Sequence, residues 1–212
     1  MKTKKIFIGV IITLAILALI VFGIYNFSFK PKETVDSINK TVTIDPIKLS
    51  KKFLPKDINL SLEELTAESN TKFNSNELTD LFIEAINEMP DLRNYLSGIK
   101  VSLDNDLINV YANINYHNIP FQLKLAFSAK AVNGKGILHY ESGNLGFISI
   151  SKDTIFNNLE NNSLITFDKN SGDIILSLEG LDNIDIKDMK VKDGDLVINF
   201  RGTIKFWDWL KK

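Results

Sequence analysis

Residues 107–134 read LINVYANINYHNIPFQLKLAFSAKAVNG, and the period of this stretch decides the fold class. Ile108, Val110, Ala112, Ile114 and Tyr116 fall on one side of an extended chain. Asn109, Asn113, Asn115 and His117 fall on the other, with Tyr111 the exception. Phe121, Leu123, Leu125, Phe127, Ala129 and Ala131 then alternate with Gln122, Lys124, Ser128 and Lys130. Successive side chains of a β-strand point to opposite faces, so a period of two predicts strands with one dry and one wet face. Asn133-Gly134 supplies a tight turn, because both residue types tolerate positive φ. Strands of this kind joined by short turns predict an antiparallel sheet.

The same pattern extends in both directions. Towards the C-terminus, strands are expected at about 136–148, at 164–167 and 174–178 around Asn170-Ser171-Gly172, and at 184–192 and 195–206 around Asp193-Gly194. In the last of these, Leu196, Ile198, Phe200, Ile204 and Phe206 share a face. A short helix is expected over 151–159. Towards the N-terminus, Ile99, Val101 and Leu103 begin the alternation, and before them the period changes. Leu78, Leu81, Phe82, Ala85, Ile86 and Met89 make one helical stripe, with Ser75 as its cap and Pro90 at its end. Residues 48–74 fit neither period and are read as a strand or short helix at the domain edge. The expected architecture is α+β: one domain with a curved antiparallel sheet packed against one main helix.

Composition is uneven. The 212 residues carry 25 Lys+Arg and 26 Asp+Glu, yet residues 1–30 hold four lysines and no acid. The remainder is therefore mildly acidic. Ile6 to Phe27 contains no charge, with Thr13 and Asn26 its only clearly polar side chains. A bilayer core needs about 20 apolar residues in helical form, so this segment is long enough to span. Basic residues precede it, and the positive-inside bias puts residues 1–5 in the cytoplasm. The expected division is a basic cytoplasmic tail (1–5), a transmembrane helix (6–27), a spacer (28–47) and an extracytoplasmic α+β domain (48–212). That makes a single-pass protein of the cell membrane, with its C-terminal domain outside. The rival is a cleaved signal peptide, which would have a shorter apolar core and a small-x-small site. The exit Phe22-Gly23-Ile24-Tyr25-Asn26-Phe27 matches no such site well.

Several chemistries find no support. There is no cysteine, hence no disulfide, thiolate zinc site or cysteine nucleophile. Near-neutral charge without a basic cluster argues against nucleic-acid binding. His117 and His139 stand alone in separate strands, whereas metal sites need three or four converging ligands. The familiar phosphate-loop, nucleophile-elbow and zinc-protease motifs are absent. S-x-x-K occurs at Ser37–Lys40 and Ser97–Lys100 without the companion motifs of a penicillin-binding site. Asp168 to Glu179 imitates a calcium loop, but Gly172 and Asp173 break its fifth and sixth positions, and a hairpin is the better reading. No catalytic residue, metal or cofactor is expected, and the chain reads as non-enzymatic. Trp207 and Trp209, beside Lys211 and Lys212, suit either a core plug, the favoured reading, or a membrane interface.

The element order resembles the YpmS family of small membrane-anchored bacterial proteins of unknown function. The likeness runs from Ser75-x-x-Leu78-x-x-Leu81 through Gly136-Ile137-Leu138, Gly146-Phe147-Ile148-Ser149-Ile150 and Ile165-Thr166-Phe167-Asp168 to the final hairpin, Met189-Lys190-Val191 and Leu196-Val197-Ile198-Asn199-Phe200. The family brings no catalytic residues. Its plan suggests, by analogy, envelope domains whose curved sheets hold lipid tails. The expected function is binding of a lipid or other amphiphile on an apolar sheet face formed by Phe121, Leu123, Leu125, Phe127, Leu196, Ile198 and Phe200. The alternative is a structural or regulatory subunit docking on a membrane-bound envelope complex.

Overall fold

A computed structural model describes residues 2–157, 159–161, 165–176 and 184–206. Helix α1 runs Lys2–Ile24 and continues into a π-helical turn, Tyr25–Phe29. The apolar run Phe7–Phe29 is long enough to cross a membrane, and its side chains are exposed up to Phe22 and partly covered by the domain at Tyr25 and Phe29. A single-pass anchor and a signal sequence both fit it.

The remainder is α+β, with antiparallel strands divided between two sheets rather than held in one. Sheet A has the order β1(Asp36–Ser37), β4(Leu96–Asp104), β5(Leu107–Tyr116), β6(Ile119–Val132), β7(Lys135–Leu145), β10(Asp173–Leu176), β9(Ile165–Asp168), and β8(Ile148–Ser149) pairs with β7. Sheet B has the order β11(Ile184–Lys192), β12(Asp195–Lys205), β3(Glu64–Asn74), β2(Asp57–Leu60). The region 48–74, read as edge structure, splits accordingly. Helix α2 (Pro46–Lys52) leads to β2, and β3 is an interior strand of sheet B, paired with β12 over its full length. The turn regions carry positive φ at Asn133-Gly134 and Asp193-Gly194, as Asn/Asp-Gly pairs allow. They also carry it at His117-Asn118, a turn that contains no glycine and that the sequence does not announce.

Helix α3 (Ser75–Asn87) starts one residue earlier than expected. Asn74, not Ser75, is the N-cap: its Oδ1 accepts from the Glu77 N–H at 2.9 Å, and the Asn74 N–H donates to Glu77 Oε2 at 3.1 Å. This reciprocal pair satisfies two otherwise free N–H groups of the first turn. The buried stripe is also rotated. Leu78, Thr79, Ile83 and Ile86 are buried, Leu81 and Phe82 pack beside them, and Ala85 is exposed. The cause is the edge of β4. The Val101 N–H has no strand partner beyond β1 and donates to Thr79 Oγ1 at 2.9 Å, while Thr79 donates to Ser75 O. A polar residue is thereby drawn inward to close a sheet edge.

The core lies between the sheets. Ile99, Val101, Leu103, Ile108, Val110, Phe127 and Leu138 from sheet A meet Phe73, Ile186, Met189, Val191, Leu196 and Ile198 from sheet B, with α3 alongside. Short helices α4 (Pro90–Arg93) and α5 (Lys152–Phe156) close its flanks, and Phe156 is fully buried with its ring 6.3 Å from those of Tyr140 and Phe167.

The segment 28–47 packs against the domain at several points. β1 pairs with β4, Ile38 is in the core, and Lys100 pairs with Glu33 at 2.9 Å. Gln122 Oε1 accepts from the Lys32 and Glu33 N–H groups. Lys40 bridges Asp36 and Asp80, each at 2.8 Å, and those two hydrogen bonds push its ammonium up to about 12.

Candidate functional site

The seven residues expected to form an apolar ligand face are buried or half-buried, in different surroundings. Phe127, Leu196 and Ile198 are buried in the core, with Leu125 and Phe200 packed against it. Phe121 lies under the π-turn, its ring 5.9 Å from Tyr25 and 6.0 Å from Phe29. Leu123 is half-buried, opposite Ala112 and Leu145.

The open apolar surface is further along the same face of sheet B. Register makes this explicit. Phe73, Thr71, Ser69, Ala67 and Leu65 on β3 face Leu196, Ile198, Phe200, Gly202 and Ile204 on β12. Ile58 and Leu60 on β2 extend the last two rows, opposite Ala67 and Leu65. The rows through Phe73 and Thr71 are buried, but Ile58 and Leu60 are 68% and 73% exposed, and Leu62 at the neighbouring turn is almost wholly so. Ala67 and Gly202 have little or no side chain. These two positions therefore form a low trough between the bulk of Phe200 and Phe53, whose rings are 5.3 Å apart, and Leu65 and Ile204, with Ile58 standing at the β2 end of the same row. The opposite face is polar, with Arg201 near Glu64 and Glu68.

Local chemistry holds the trough in place. Asp45 caps α2 by accepting from the Ile47 and Lys48 N–H groups. The C-terminal end of α2 is pinned to β3, where Thr71 Oγ1 donates to Lys52 O at 2.8 Å and Lys52 Nζ donates to Lys72 O and to Glu77. Phe53 and Leu54 follow directly and are exposed, with Phe53 against Phe200 and the Lys56 N–H donating to Glu68 O. Burial pushes the Glu77 carboxyl up, but the hydrogen bonds from Lys52 and from the Asn74 N–H outweigh it and leave it below the ordinary carboxylate range.

Other concentrations of chemistry are smaller. A cleft of about 140 Å³ between residues 42–52 and α3 is lined by Ile44, Leu49, Phe73 and Leu81 together with the Lys52–Glu77 pair. It falls short of the roughly 300–1,000 Å³ of ordinary ligand pockets. On the wet face of sheet A, Ser128, His139 and Asp173 stand in one cross-strand row. His139 Nδ1 is 2.6 Å from Asp173 Oδ1, but the Ser128 hydroxyl donates to Glu141 at 2.6 Å, so no serine–histidine hydrogen bond forms. Asp168 Oδ1 accepts from the Asn170 and Ser171 N–H groups within a β9–β10 hairpin, the turn geometry expected there. Among the described residues, no group of three or more His, Asp or Glu is placed to hold a metal ion. Trp207 and Trp209 lie outside the described residues.

Fold and site define a class: an α+β domain of two antiparallel sheets behind one apolar N-terminal helix, with an uncovered apolar sheet end. Comparisons with protein-family models, curated proteins and solved structures each give no match.

Proposed function

We propose that the protein is a membrane-anchored, extracytoplasmic binding domain of a bacterial envelope, similar to the YpmS family and non-enzymatic. Its ligand is an amphiphile, with an acyl chain lying in the trough over Ala67 and Gly202. The observation that carries this is the run of exposed apolar rows at Ile58, Leu60 and Ile204, continuous with a core face. Exposed apolar patches of this kind mark interaction sites. Lys56, exposed and joined through its N–H to Glu68 O next to Ala67, suits an anionic head.

One observation favours a second reading, docking on a protein of a membrane-bound complex. The Ile186 N–H donates to Gly134 O, so this part of sheet B adjoins the β6–β7 turn. β6 begins beside the π-turn and spans 14 residues. The trough is thus roughly 40 Å from the end of the span, remote from its lipids.

A photoreactive benzoylphenylalanine at position 60 of the full-length chain separates the two. It would be irradiated in bacterial cells fed radiolabelled fatty acid, with position 95 as a control. A labelled adduct of lipid mass at 60 and not at 95 supports the amphiphile. A protein adduct supports docking, and the absence of both overturns the two readings together.

A further inference from the structure

The end of sheet A nearest α1 combines three features. First, it packs directly on the end of the apolar helix. Tyr25 donates to Pro120 O at 2.9 Å, and the Phe29 ring is 5.1 Å from that of Phe147. Gly146, at φ +62, comes so close to the π-turn that an added Cβ would lie 2.6 Å from Ser28 O. Second, the two hairpin turns here expose large apolar side chains: Tyr116 and Ile119 on the β5–β6 turn, Phe147 and Ile148 on the β7–β8 turn. Third, these turns are free of charged residues. Residues 114–123 and 142–151 contain no Asp, Glu, Lys or Arg. The turns at the opposite end of the same strands do carry charge, at Asp104, Asp106 and Lys135.

We propose that this end is a second membrane contact: the β5–β6 and β7–β8 turns insert Tyr116, Ile119, Phe147 and Ile148 into the headgroup region of the bilayer that α1 spans. The inference rests on the reading of α1 as an anchor. Depth follows from geometry. A span ending at Phe29 puts that ring at the boundary, and Phe147, whose ring is 5.1 Å away, lies within that distance of the same depth. Aromatic and aliphatic side chains are favourable at that level, and turns without charge can enter it without burying an ionised group. Lys30 and Lys32, exposed on the chain leaving the π-turn, reach phosphates from the same level. Docked at both the helix and the turns, the domain is held upright on the membrane.

The chain has no cysteine, so single introduced thiols report unambiguously. Full-length I119C, F147C, L17C and K135C would each carry a nitroxide in vesicles of equal phosphatidylethanolamine and phosphatidylglycerol. Relaxation by oxygen would then be compared with relaxation by a water-soluble nickel chelate. Labels at 17, 119 and 147 are expected to favour oxygen, and the label at 135 the chelate. Chelate-accessible labels at 119 and 147, or labels shielded from both reagents as in a protein contact, overturn the proposal while 17 still reads lipid. An aqueous reading at 17 removes the anchor, and the proposal with it.

Discussion

Asn74 and Glu77 decide where α3 begins, and they act through two short hydrogen bonds. Asn74→Ala removes the cap acceptor and leaves the Glu77 N–H unpaired. It is expected to lower stability by about 1 kcal/mol, measured by urea unfolding. Glu77 also carries a pH dependence. Its carboxyl is held below the ordinary value of 4.5, so its contribution is present above that value and is lost as pH falls through the depressed one. Unfolding followed from pH 6 downwards is expected to show an acid-side loss of stability that is shallower in Glu77→Gln. The cap position itself was only half legible. Ser75 and Asn74 are both good caps by residue type, but only Asn74 has an acid three residues on: from Ser75 that position is Leu78.

The unexpected elements are those whose partners are distant in sequence. β1 is two residues long and is legible only through its pairing with Ile99 and Gly98 on β4. Gly98 allows that approach, since a Cβ there would meet Val35 Cγ2 at 2.6 Å and Asp36 O at 2.7 Å. Gly98→Val is therefore expected to push residues 35–38 off the sheet edge. Hydrogen exchange at Ile38, whose N–H donates to Ser97 O at 3.2 Å, should rise well above wild type while the β5–β6 amides stay protected. Helix α3 illustrates the same limit from the other side. Its apolar spacing predicts a stripe through Ala85, but the demand of the Val101 N–H for an acceptor turns Thr79 inward and Ala85 outward.

At the scale of the whole molecule, the dry faces of the two sheets are covered in two places and open in a third. The sheets and α3 cover one another in the middle, the π-turn after α1 covers the end of sheet A near the helix, and the far end of sheet B stays open at Ile58, Leu60 and Ile204. The proposed topology has a direct check. With a membrane-impermeant maleimide on intact cells, K135C in the full-length chain is expected to label, whereas K4C labels only after lysis. Labelling of both, or of K4C alone, contradicts an outside domain. An open sheet end far from the span and a neutral, apolar end beside it give the domain two unlike poles, one suited to recognition and one to the bilayer.

The sequence by itself determined the apolar helix, the alternating strands, the Asn-Gly and Asp-Gly turns and the α+β class. Each of these is a local periodicity or a local φ preference, complete within about ten residues. Only the tertiary structure decided that the strands divide into two sheets, that β3 is interior, and that 28–47 is docked. It alone decided which stretch of a continuous apolar face is left uncovered. Phe127 and Ile204 belong to equally regular alternations, yet one is buried and the other 42% exposed. The difference comes from pairings between segments far apart in the chain, such as Asn70 with Asn199, and no local pattern encodes what will lie across a strand once it is placed.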